Sequence, residues 1–260
     1  MSNQKIKWVK SLHKNSTRRD EGVFLVEGVK EITHAIDGGY VPISIFICPE
    51  IFGEGTVAQL SHIREVVTVS REVYEKITYR GGTEGLLAAF EAKTRSLDEL
   101  NFGRNPFFLI IESVEKPGNL GAIIRTADGA GVDGVIICDE RTDIFNPNVI
   151  RASVGTVFTK QVVTASREEV YDFLERHEIA IYGAVISKGS SQHTDADFSH
   201  PAALLLGTEH EGLSDFWRKR CQPVIIPMLG VNDSLNVSNA AAVLAYEAVR
   251  QRGGAARIVE

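Results

Sequence analysis

The sequence predicts an α/β protein of two domains, the second built on a parallel sheet. Three observations carry that reading. Short apolar runs of buried-strand length (FLVEG, ISIFICP, NPFFLIIES, GVIIC, IYGAVI, AALLLG and PVIIPM) recur along the chain, most of them separated by helical segments. One polar stretch, KTRSLDELNFGRNP, punctuated by Gly103 and Pro106, interrupts the alternation as an interdomain linker would. Finally, 260 residues with 43% hydrophobic side chains suffice for two modest cores.

Taken in order, the first domain (1–95) reads as a strand FLVEG, a helix VKEITHAIDG, a strand ISIFICP, a helix around 54–64, a strand EVVTVS, a helix near 71–77 and a closing strand GLLAAFEA. Residues 96–105 are the linker. The second domain (106–260) opens with NPFFLIIES, a continuous apolar run characteristic of a strand covered on both faces. Its later strands share that character, and a parallel sheet flanked by helices accommodates them all. In such folds ligands collect where strands end and loops turn into helices.

Composition narrows the function. No apolar run is long enough to cross a bilayer, and the polar start MSNQKIKWVKS lacks the apolar stretch of a secretion signal, so a cytoplasmic, membrane-free protein is expected. Cys48, Cys138 and Cys221 are odd in number, far apart and set in apolar surroundings, which points to reduced core thiols. The seven histidines form no HxxxH pair, and no metal site is expected. The formal charge of −6 argues against generic polyanion binding, but charge is unevenly placed. Residues 1–20 carry Lys5, Lys7, Lys10, Lys14, Arg18 and Arg19 against Asp20 alone, a local excess of five. Such an arm either grips phosphates or forms a solvated helix face.

Three loops look chemical. In SVEKPGNLGAIIRTADGAG, Pro117-Gly118 turns the chain and Asn119 is placed to cap a helix on which Arg125 is surplus to structural need. A guanidinium there suits bidentate phosphate clamping, with a salt bridge as the alternative. In GTEHEGLS, Thr208 and Glu211 have capping-box spacing, leaving Glu209 either to the helix dipole or to a ligand. In DSLNVSNAAAVLAYEAVRQR, Ser234, Asn236 and Ser238 place more polar groups at a helix start than capping requires. Neither GxGxxG, GxxxxGK[ST] nor GxSxG occurs, so dinucleotide or triphosphate binding by the usual motifs is unsupported and some other cofactor has to be considered.

Together, N119-x-G121-A-I-I-R125-T, L206-G-T-E209-H-E-G-L-S and I226-P-M-x-G230-x-x-x-S234-L-N236-V-S238 resemble, in order and spacing, the three motifs of the SpoU or TrmH family of RNA ribose 2'-O-methyltransferases. Asn146-Pro147 and Arg151-Ala-Ser153-x-Gly155 are also similar to the family. KWVKSLHKNSTRRDEGVFLVEG resembles the L30e-like substrate-binding domain of members that act on ribosomal RNA. The resemblance implies a deep trefoil knot in the second domain, S-adenosylmethionine as methyl donor and a homodimer formed through that domain. It casts Asn119, Arg125, Glu209, Ser234 and Asn236 as active-site residues, and Leu206, Gly207, Ile226, Met228 and Leu235 as cofactor-binding. Lys5, Lys7, Lys10, Lys14, Arg18 and Arg19 become candidate RNA contacts. Ribosomal RNA is favoured over transfer RNA because of the extra domain; a catalytically silent RNA-binding protein is the other alternative. Thr208 stands where many members have Asn, and Glu211 occupies a variable slot.

Overall fold

The computed structural model describes residues 3–53, 63, 65–79, 84–208 and 211–254. They fall into two compact units, 1–94 with 143–159, and 95–142 with 160–260. No described helix is long and apolar enough to cross a membrane.

The first unit begins with α1 (Asn3–Ser11), α2 (Asn15–Glu21), β1 (Val23–Glu27), α3 (Val29–Asp37), β2 (Pro42–Ile47), α4 (Pro49–Phe52), β3 (Val66–Thr68), α5 (Arg71–Ile77) and β4 (Leu86–Glu91). The helix expected at 54–64 falls outside the described residues. The strand order is β1-β4-β2-β3, with β4 antiparallel to both neighbours and β2 parallel to β3. Central placement explains why the LLAAF run of β4 is buried throughout. On one side Val9 and Leu12 join Tyr74 and Ile77 over Leu25, Phe46 and Leu87.

Beside this core His13 places Nε2 2.8 Å from the Ile77 carbonyl, which requires the proton on Nε2, while Nδ1 is buried without a partner among the described residues. Burial, with Arg18 and Lys10 nearby, holds its pKa below the usual histidine value, although the Ile77 bond works the other way. A histidine depressed in the folded state contributes stability above its unfolded pKa of about 6.5 and loses it as pH falls below that value. The first unit is therefore expected to melt earlier at pH 5.5 than at pH 7.5, and His13→Gln should flatten that dependence. An unchanged pH slope in the variant would contradict the assignment.

Onward, the chain forms β5 (Phe107–Glu112), α6 (Pro117–Gly129), β6 (Gly134–Cys138), α7 (Pro147–Ala152), α8 (Thr156–Thr159), β7 (Val162–Ala165), α9 (Arg167–Arg176), β8 (Ala180–Ala184), β9 (Ser191–Gln192), β10 (Ala202–Leu206), α10 (Asp215–Arg218), β11 (Gln222–Ile225) and α11 (Val237–Gln251). Seven strands make the second unit's sheet in the order β7-β6-β5-β10-β8-β11-β9, with every pairing parallel. The expected parallel sheet is present, and its central strands β5 and β10 are buried at every position. Strand alternation divides the two faces. Phe108, Ile110, Ala203 and Leu205 meet Val170 and Phe173 of α9 and Trp217 of α10, whereas α6 and α11 pack together over the opposite side.

Two stretches depart from the sequence reading. The expected linker is not free: Leu97, Leu100 and Phe102 pack into the second unit's core, and Ser96 with Glu99 closes a capping box over a short 3-10 turn. Residues 143–159, read as part of the second domain, pack with the first unit. The reason is aromatic burial. Phe145 and Phe158 lie 4.3 and 5.5 Å from the Phe24 ring, and Tyr40 meets both edge-on. The His34 Nδ1 group donates to the Val154 carbonyl at 3.0 Å. A Cβ at Gly38 would collide with the Phe158 carbonyl group, so only glycine admits this approach.

Candidate active site

The C-terminal ends of β10 and β11 and the start of α11 enclose a cleft of about 610 Å³, within the range of small-ligand sites. Its floor begins at Leu206-Gly207. Thr208 and Gly212 exchange backbone hydrogen bonds of 3.0 and 3.2 Å, which bring these two residues side by side. A Cβ on Gly207 would collide with the Gly212 carbonyl and the Leu213 nitrogen, so the turn tolerates only glycine. The Thr208 hydroxyl accepts from the Glu211 amide at 3.0 Å, half of the expected capping box. Among the described residues no helix starts there; α10 begins after Ser214, and the bond closes a tight turn instead.

Two side chains brace this turn. Arg218 donates to the carbonyls of Leu213 at 2.7 Å and Glu211 at 3.1 Å, and buried Glu112 at the end of β5 accepts from the Ser214 amide at 2.8 Å. Neither residue is evident as a site residue from the sequence, because neither belongs to a motif and each acts by holding the backbone of another segment.

The opposite wall is the third loop. Ile226 and Met228 leave β11 along the cleft, and Leu235 and Leu244 complete its apolar lining, with Ser234 and Asn236 at the polar side. Asn236 is the N-cap of α11: its Oδ1 accepts from the Ser238 amide at 3.0 Å and from the Ser238 hydroxyl at 2.7 Å. Its Nδ2 donates to Asn119 Oδ1 at 3.3 Å, joining the first and third loops. Asn119 itself is not a cap, since α6 starts at Pro117 with Lys116 preceding it.

Leu206, Gly207, Ile226, Met228 and Leu235 thus line one cleft with Ser234 and Asn236. Glu209 lies outside the described residues. Arg125 does not line the cleft. Leu120, Ile123, Ile124 and Ala127 form the buried side of α6, and Arg125 projects from the exposed side without a hydrogen bond or ion pair among the described residues.

In the first unit Lys7, Lys10, Lys14 and Arg19 are exposed. Lys5 is half-buried, paired with Glu65, and stands 5.7 Å over the Phe46 ring. Arg18 corrects the expectation of an RNA contact. It is buried, donates twice to Asp143 Oδ2 at 2.8 and 2.6 Å, and through Nη1 donates to the carbonyls of Leu12 and His13 at 2.9 Å each.

A ligand with a flat apolar ring and polar edges fits these features: apolar side chains line the walls, and backbone at Gly207, Ile226 and Leu235 borders the same space. The parallel sheet, the glycine turn and the cleft at the strand ends define an α/β domain built to hold a nucleoside-type cofactor. The chain belongs to the SpoU rRNA methylase family, which residues 106–246 match; residues 3–88 match the MRM3-like substrate binding domain. A 23S rRNA (uridine(2479)-2'-O)-methyltransferase of Streptomyces viridochromogenes is 31% identical over 259 residues, spanning 94% of this chain and 88% of that protein. The 23S rRNA (guanosine(2553)-2'-O)-methyltransferase RlmP of Bacillus subtilis is 28% identical, spanning 94% and 95%. The crystal structure of the SpoU methyltransferase AviRb from Streptomyces viridochromogenes, in complex with AdoMet, superposes with a TM-score of 0.87 at 28% identity, covering 97% of this chain and 99% of that one.

Proposed function

We propose that this protein methylates the 2'-hydroxyl of a ribose in ribosomal RNA, with S-adenosylmethionine as donor. The observation that carries the reading is a single cleft lined by Gly207, Ile226, Met228, Leu235, Ser234 and Asn236, in a chain similar over nearly its whole length to 23S rRNA 2'-O-methyltransferases. Leu206, Gly207, Ile226, Met228 and Leu235 would hold the cofactor. When bound, it supplies an electrophilic methyl group on a sulfonium that departs as a neutral thioether.

The protein's task is alignment and charge. Asn236 and Asn119, tied to each other, and Ser234 orient the ribose. Arg125 clamps the adjacent phosphate and stabilises charge developing on the 2'-oxygen. A guanidinium is a poor proton acceptor, so the hydroxyl proton passes to that phosphate or to water. Glu209 belongs to the same set by its motif.

The reading extends to a homodimer formed through the second domain. Val243 and Tyr246 are exposed one turn apart on α11, and Leu229 and Val231 are fully exposed. Gly129, one turn beyond Arg125 on α6, lies against the Tyr246 hydroxyl. A second copy covering that stripe would meet Arg125, which accounts for its position outside its own chain's cleft. The deep knot belongs to the same reading; its support is β10, which enters between β5 and β8 instead of extending an edge. Lys7, Lys10, Lys14 and Arg19 serve as the exposed RNA-gripping arm of an L30e-like domain.

Gly207→Ala is expected to weaken cofactor binding about tenfold to a hundredfold, the effect of overpacking at a site where backbone must yield. Calorimetric titration with S-adenosylmethionine checks it; wild-type affinity would show that the turn does not shape the site. The function itself is tested by transfer of labelled methyl to unmodified ribosomal and transfer RNA in parallel, followed by mapping of 2'-O-methyl stops. Label at one ribosomal RNA position is expected. Label in transfer RNA alone would overturn the substrate class, and cofactor binding without transfer would leave an RNA-binding protein.

A further inference from the structure

The end of α10 and the turn that leads to β11 carry Arg218, Lys219 and Arg220 in succession, all exposed, in a chain of net charge −6. Neither Lys219 nor Arg220 has an acidic partner among the described residues. The Arg220 guanidinium stands 4.1 Å over the Phe216 ring and 5.3 Å from the Tyr171 ring, and its Nη1 donates to the Phe216 carbonyl at 2.9 Å. Arg167 lies 6.0 Å over the same Phe216 ring, with its charge matched by Asp139 at 2.8 Å. The exposed acids of α9 and α10 are Glu168, Glu169, Asp172, Glu175 and Asp215, of which Glu169 is held in the Ser166 cap.

A turn needs none of this. Two cations without an ion-pair partner among the described residues, one of them a guanidinium already held over an aromatic ring, form a stacking platform with fixed positive charge, the combination that binds unpaired nucleic acid strands. Immobilisation by the ring and the carbonyl removes much of the entropy cost that a free arginine meets on stacking a base. Arg218, the first residue of the run, lines the cofactor cleft, so the platform begins at the cleft's rim. It lies on the α9/α10 side of the sheet, away from α6 and α11, and stays open when a second copy covers the Val243–Tyr246 stripe.

We infer that Lys219, Arg220, Phe216 and Tyr171 form a second RNA-contact surface, on the second domain, which holds the single-stranded segment flanking the target ribose: Lys219 and Arg220 take phosphates, and an unstacked base packs on the arginine–aromatic platform. The inference rests on the RNA methyltransferase reading above.

The test uses the full-length protein, wild type and Lys219→Ala/Arg220→Ala, with a fluorescein-labelled oligouridylate of about 20 nucleotides for binding across a salt series and unmodified 23S ribosomal RNA for methylation. Two lost phosphate contacts should reduce the salt slope of log affinity by about 1.4 and lower oligouridylate affinity about tenfold, with S-adenosylmethionine affinity intact and a higher KM for RNA. Arg220→Lys, which keeps the charge and loses the planar stack, should restore the slope but only part of the affinity. An unchanged slope and KM in a double variant whose wild-type parent methylates RNA overturns the surface alone. A wild type that methylates no RNA overturns the functional reading and the surface with it.

Discussion

Arg125→Ala is expected to reduce methyl transfer about 100- to 1,000-fold while leaving S-adenosylmethionine affinity unchanged, because Arg125 lies outside the cleft and, in the function proposed here, clamps the phosphate beside the reacting ribose. The physical case begins with the helix. Four apolar side chains fix the rotation of α6, and the sixth residue after Asn119 is thereby turned to the outside. In many proteins such an arginine finds a carboxylate; this one has none among the described residues, so its five donors are left for a ligand. Replacing it removes the planar fork that would grip the phosphate beside the reacting ribose. Arg125→Lys should recover part of the rate and remain about tenfold below wild type, since a point charge substitutes for the field but not for the bidentate geometry. Single-turnover methylation with saturating RNA separates the loss of chemistry from the loss of binding. Turnover by Arg125→Ala within a few-fold of wild type would remove the arginine from the mechanism.

How much of this is legible in the sequence depends on how local each cause is. Continuous apolar strands such as Phe107–Glu112 and Ala202–Leu206 announce a sheet buried on both faces, because burial leaves no polar alternation to read. Gly207 and Asn236 stand out since a turn and a helix start have chemical requirements that fall within a few residues. The same locality misleads at Thr208 and Glu211: a hydroxyl accepting from the amide three residues on closes a tight turn as readily as it caps a helix. Asn119 likewise sits within the first turn of α6 and bonds to Asn236, 117 positions away. Leu97 and Phe102, read as linker, are held by the second unit's core, which composition alone does not reveal. The Arg220 platform is not legible at all, because Tyr171 and Phe216 come together only through the packing of α9 and α10.

Arg18 is the clearest case of a cause invisible along the chain, and it carries the largest expected effect on stability. A count of charges in residues 1–20 places it with the basic arm, yet its side chain is 4% exposed and its partner Asp143, at 11%, lies 125 positions away. Asp143 is itself engaged: Oδ1 accepts from the Phe145 amide at 2.8 Å, at the start of the segment whose aromatic rings fill the first unit. Arg18→Met removes one charge and leaves a buried carboxylate and two carbonyls without their donor, so it should cost about 3–5 kcal/mol, against less than about 1 for an exposed pair. Denaturant unfolding followed through Trp8 reports on this unit, because the other tryptophan, Trp217, belongs to the second. Removing both charges is a different experiment. Arg18→Met/Asp143→Leu abolishes the stranded carboxylate, and the double variant should regain about half of the loss or more, giving a large coupling energy in the double-mutant cycle. Additive losses would mean that the two side chains stabilise the unit independently, and a single-variant cost below about 1 kcal/mol would place Arg18 among the surface charges after all.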